Sequence, residues 1–134
     1  MNHEGTKFTK GARSEAVARA VVDAGLKVHR QLGPGLLESA YEHCLARELE
    51  LRGLGVARQV GLPITYEDQR LEVGYRLDLI VDGRVIVEVK AVDALAPIHE
   101  AQLLTYLRLS GLPIGFLMNF HTVRFRDGVR RLVL

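Results

Sequence analysis

The chain holds one cysteine, Cys44, set in an apolar pattern of helical spacing with no second thiol to meet. A disulfide framework and a thiolate metal site are therefore set aside, and a reducing, cytoplasmic setting is expected. No apolar run approaches the roughly 20 residues of a membrane span. The opening MNHEGTKFTKG lacks the apolar core of a secretion signal. Internal repeats, low-complexity tracts, Gly-rich nucleotide loops and Cys/His metal spacings are also missing, which removes repeat arrays, P-loop enzymes and zinc modules from consideration. Charge of one sign is scarce too. Lys and Arg number 18 against 16 Asp and Glu, for a net +2. The isoelectric point near 8.9 permits a polyanionic partner but lacks the strong basic footprint of a dedicated nucleic-acid binder.

What remains is 134 residues, 48% hydrophobic and 25% charged, enough for one domain with a sizeable core. Residues 1–12 read as a flexible tail and residues 13–134 as the single domain. Ser14 and Glu15 open a helix whose stripe is Val17, Val21, Ala24 and Val28, ending at Leu32 before Gly33-Pro34-Gly35. A second helix runs to about Arg52 with Leu37, Tyr41, Leu45 and Leu49 inward. Val56 to Val60 and Leu62 to Glu67 are extended by composition, with a turn at Asp68-Gln69. Pro97 begins a third helix that stops at Gly111, with Ile98, Ala101, Leu104 and Leu107 or Arg108 as its expected inward stripe. Ile114 to Phe120 is a buried strand, and Val123 to Phe125 with Val129 to Val133 suggest a terminal hairpin turned at Asp127-Gly128.

The most informative stretch is Tyr75 to Ala91, YRLDLIVDGRVIVEVKA, a hairpin about Asp82-Gly83 whose strands are apolar enough to be buried on both faces. Charges inside it require a reason. Alternation puts Ile86, Glu88 and Lys90 on one face and Val85, Val87 and Val89 on the other. A two-residue turn would set Asp78 opposite Val87, on the apolar face. A three-residue loop of Val81, Asp82 and Gly83, with Gly83 left-handed, sets it opposite Ile86 and diagonal to Glu88, and this register is the expectation. Two carboxylates so close favour a divalent cation between them. The bland reading of the same residues is a Glu88–Lys90 ion pair on an edge strand.

Other polar residues carry similar alternatives. Glu38 suits the positive end of a helix, Glu42 one turn later reads as solvated, and Tyr41 reads as a core residue with a hydroxyl to satisfy. His99, Gln102 and Tyr106 share one face of the third helix at spacings of three and four. Arg124, Arg126, Arg130 and Arg131 form a basic cluster that suits phosphate backbones or the wet face of an edge strand.

The order of these elements resembles the PD-(D/E)xK nuclease superfamily. The helix carries Glu38, one strand Asp78, the next Glu88-Val89-Lys90, and the last helix Gln102 and Tyr106 in the QxxxY spacing of the RecB-like branch. Gly35-Leu36-Leu37-Glu38-Ser39-Ala40-Tyr41 is similar to the motif of the GxxExxY protein family, as are GPGLLESAYE, VIVEVKAV and PIHEAQLLTYL, from about Val17 onward. The proline that often precedes the superfamily's Asp is replaced by Leu77. The resemblance implies a restriction-endonuclease-like α/β fold, with a mixed central sheet of about four strands flanked by helices. It assigns Asp78 and Glu88 as metal-binding acids, Lys90 as the lysine, Glu38 as the helical acid, and Gln102 with Tyr106 as the QxxxY pair.

Phosphodiester cleavage needs a cation to polarise the phosphoryl oxygen, and Mg²⁺, for which Mn²⁺ can stand in, prefers a few carboxylates with waters left in place. Glu38, Asp78, Glu88 and the Val89 carbonyl are the candidate ligands. Lys90 is the candidate for handling the attacking water, and Gln102 and Tyr106 for positioning. The expectation is a metal-dependent nuclease acting on DNA in repair, processing or defence. The alternatives are a catalytically silent nucleic-acid- or protein-binding module, and a structural subunit of a homo-oligomer such as a homodimer.

Overall fold

The computed structural model describes residues 10–72 and 74–134. Helix α1 (Lys10–Leu32) starts earlier than Ser14, so Lys10 to Ala12 are helical and the rest of the expected tail lies outside the described residues. Helix α2 (Glu38–Leu51) follows the Gly33-Pro34-Gly35 turn. The Tyr41 hydroxyl holds that turn, donating to the Gly33 carbonyl at 2.6 Å and accepting from the Leu36 N–H at 3.0 Å. Its ring stacks on Phe120 at 4.7 Å. Leu37, expected inward, is instead the exposed residue that caps α2.

The strands are β1 (Val56–Gly61), β2 (Ile64–Tyr66), β3 (Gln69–Leu71), β4 (Arg76–Val81), β5 (Val85–Lys90), β6 (Ile114–Asn119) and β7 (Val129–Val133), with α3 (Pro97–Ser110) between β5 and β6. They form a mixed five-stranded sheet in the order β1-β4-β5-β6-β7, one strand wider than expected, with β2 and β3 as a separate hairpin. That hairpin turns at Glu67 and Asp68, both at positive φ (48° and 62°), one residue before the expected turn. β5 and β6 are parallel, which requires the crossover that α3 supplies. α1 and α2 cover one face of the sheet through Val17, Val21, Ala24, Tyr41 and Leu45 against Leu79, Val87 and Phe116. α3 covers the other through Leu103, Tyr106 and Leu107 against Ile86 and Leu117.

Three expectations are corrected here. The stripe of α3 is rotated: Leu103, Tyr106 and Leu107 are buried, while Ile98 and Ala101 are exposed. Apolar residues lie all round this helix, so its periodicity does not single out a face. The C-terminal antiparallel pair is made by β6 and β7, and the 3₁₀ turn Phe125–Gly128 lies between them in place of a strand at Val123 to Phe125. The loop of the central hairpin is Asp82, Gly83 and Arg84, since Val81 pairs with Val85 and Ile80 with Ile86. Asp82 and Gly83 both have positive φ, 52° and 63°. The register is fixed from outside the hairpin: the Asp82 N–H donates to the Gly55 carbonyl at 2.8 Å, and the Asp82 carboxylate accepts from the Gly55 N–H at 2.7 Å.

Candidate active site

Continuing that register beyond Leu79↔Val87 brings Asp78 level with Glu88, where the backbone ladder between β4 and β5 stops. Side chains take its place. The Asp78 N–H donates to Glu88 Oε2 at 2.9 Å, and the Val89 N–H donates to Asp78 Oδ2 at 2.9 Å. Alternation also slips here, because Leu77 and Ile80, three residues apart, both pack in the α3-side cluster. The backbone ladder has a gap at this point, and the two acids bridge it.

β5 is the middle strand of the five, so the edge-strand reading fails, and Glu88 makes no direct ion pair with Lys90 among the described residues. Glu88 is 5% exposed. Burial first, and the neighbouring Asp78 charge second, push its carboxyl up to about 8, against the opposing pull of Lys90. Asp78 is raised as well, chiefly by burial, with the Val89 N–H opposing and the charge of Glu42 adding to the rise. Lys90 ends β5 and its charge favours ionisation of both acids.

Glu42 was expected in solvent and is only 8% exposed. Its carboxylate accepts from Arg58 at 3.1 Å and from Gln59 Nε2 at 3.0 and 3.1 Å, and Gln59 Nε2 also reaches Asp78 Oδ1 at 3.4 Å. Glu38 stands exposed on the first turn of α2. The carboxylate of that helix whose charge acts on both Asp78 and Glu88 is thus Glu42. From the opposite layer, buried Tyr106 is bonded to exposed Gln102, and its hydroxyl is raised by burial and then by the Glu88 charge. His99 has another duty, accepting the Ala96 N–H at 2.9 Å at the start of α3.

The four arginines do not form one patch. Strand alternation sends Arg131 toward α1, where it pairs with Glu15, and Arg130 toward α3, where it faces Glu100 at 3.9 Å. Arg124 lies 3.6 Å from Asp127, and Arg126 is exposed without an ion pair among the described residues. Arg124 and Arg126 stand at the Lys90 end of the sheet, because β6 ends at Asn119 beside Lys90 and the 3₁₀ turn follows.

A buried and a half-buried carboxylate, Glu88 and Asp78, both with raised pKa values and with no cationic group in contact among the described residues, suit a divalent cation, whose charge would reverse their cost of ionisation. Among the described residues no three His, Cys, Asp or Glu side chains group as a ready-made cage. A site of few carboxylates completed by water matches the preference of Mg²⁺ rather than of structural zinc. Sequence reasoning missed Glu42 and Gln59. The available signal was Glu42 sharing a helix face with Glu38, beside a polar Arg58-Gln59 pair inside a strand.

Among the described residues no helix is long and apolar enough to cross a membrane. The family model described as the PD-(D/E)XK nuclease superfamily matches residues 15–132. No curated protein and no solved structure matches the chain.

Proposed function

Because the chain belongs to the PD-(D/E)XK nuclease superfamily, we propose that it is a metal-dependent deoxyribonuclease, hydrolysing phosphodiester bonds with Mg²⁺ or Mn²⁺ in DNA repair, processing or defence. The observation that carries this reading is the reciprocal bracing of Asp78 and Glu88, which holds two acids against their own repulsion at a gap in a buried sheet. Asp78, Glu88 and the Val89 carbonyl would hold the cation, with Glu38, exposed on the first turn of α2, as a further candidate ligand. When bound, the cation polarises the phosphoryl oxygen and eases deprotonation of water.

Lys90, at the end of β5, orients the attacking water and offsets phosphate charge as the ammonium; to take the water's proton it first releases its own to solvent beside the bound cation. Tyr106 and Gln102 orient the scissile phosphate from the α3 side. Arg124 and Arg126 contact the strand further along. Purified protein incubated with Mg²⁺, Mn²⁺ or EDTA and single-stranded, duplex or flapped DNA tests the reading. Cleavage that needs the cation supports it; cation-independent binding without cleavage of any form leaves the silent binding module instead.

A further inference from the structure

We infer that Gln59 is a positioning residue of this site, orienting Asp78 for the cation through an amide that Glu42 holds in place. The inference rests on the cation-dependent reading above. β1 pairs with β4 on both sides of Gln59, Arg58 with Leu79 and Val60 with Leu77, yet Gln59 itself has φ 51° and drops out of the ladder. A left-handed glutamine inside a strand is strained and persists only where its surroundings over-determine it.

Three groups do so. Arg76 Nη1 donates to the Gln59 carbonyl at 3.3 Å. The Gln59 amide donates to both Glu42 oxygens, and the same nitrogen faces Asp78 Oδ1 at 3.4 Å. Carboxylates accept and do not donate, so the amide nitrogen, not its oxygen, must point at them. Glu42 is in turn held by Arg58, which leaves it satisfied without a cation.

Asp78 therefore has one oxygen on the Val89 N–H and the other against Gln59, which fixes the plane of its carboxylate. Partners that orient a metal ligand in this way typically matter by about 10–100-fold in affinity. The irregular backbone at Gln59 turns the amide to the place where this can happen. A packing residue would not need the left-handed conformation.

Glycine at this position separates the two roles, because it accepts φ 51° freely and has no amide. Calorimetric titration of the full chain with Mn²⁺ and with Mg²⁺, beside metal-free thermal melts, reads both. Gln59→Gly should melt at or above the wild-type temperature while its metal dissociation constant rises about tenfold or more. Gln59→Asn, which tolerates the left-handed region but is too short to bridge, should lose the same affinity and serves if the glycine variant does not fold. Wild-type affinity in either folded variant overturns the inference and leaves the nuclease reading standing. A wild type that takes up neither ion overturns both.

Discussion

Asp78 and Glu88 each accept a hydrogen bond from the other's strand, Glu88 from the Asp78 N–H and Asp78 from the Val89 N–H, both at 2.9 Å. The two acids thus substitute for a missing step of the sheet ladder. Neither can leave without stranding a part-buried backbone donor, at a cost of up to about 1–3 kcal/mol. The arrangement is built for two carboxylates and is uncomfortable when both are charged.

Glu88→Gln should separate stability from function. The amide oxygen can still accept the Asp78 N–H, and the buried charge is gone. In metal-free buffer near pH 8 the variant should melt above wild type, while losing cation uptake in calorimetry. Wild-type uptake would remove Glu88 from the ligand set.

Stability of the metal-free protein should fall as pH rises. The folded Glu88 carboxyl is raised from 4.5 to about 8. Between those values the unfolded chain has released a proton that the folded chain retains, so each pH unit removes stability on the order of 1 kcal/mol. Below 4.5 this contribution is fully present, and above 8 no more is lost. Asp78, shifted in the same direction, adds to the trend. Cation uptake should strengthen over the same window with release of a proton. Denaturant midpoints across pH check the slope, and a metal-free midpoint that rises through the window contradicts it.

Lys90→Ala tests enzyme against binding module. Metal and DNA affinity should stay within several-fold of wild type while cleavage drops by roughly 100-fold or more. Equal losses of binding and cleavage would make Lys90 a contact residue only.

Glu38→Gln addresses the exposed helical acid. As an outer ligand it should weaken cation binding, while the metal-free melting temperature hardly moves because the side chain lies in solvent. Unchanged cation affinity returns Glu38 to a helix-start role, in which its charge faces the positive end of α2.

The arginines should divide by their present engagements. Arg126→Ala should weaken DNA binding and lower the salt slope by about 1. Arg131→Ala should leave both nearly unchanged, because its guanidinium is committed to Glu15. A filter-binding salt series distinguishes them, and equal effects would restore a single patch.

Local pattern alone was enough for the hairpin at Asp82-Gly83 and for placing Asp78 and Glu88 on its two neighbouring strands. Alternation and turn propensity are local. It also determined the three helices, and the buried strand at Ile114. Tertiary structure decided the rest. The actual register depends on Gly55, which clamps Asp82 from far along the chain. The inward face of α3 was chosen by the sheet and not by the helix's own pattern. Glu42 became a buried member of the site because Arg58 and Gln59, on another element, supply its donors. Arg130 and Arg131, adjacent in sequence, were sent to opposite faces once β7 joined the sheet. A residue's periodicity is written in its neighbours, but the partner that satisfies a buried charge is set by which segments meet in space.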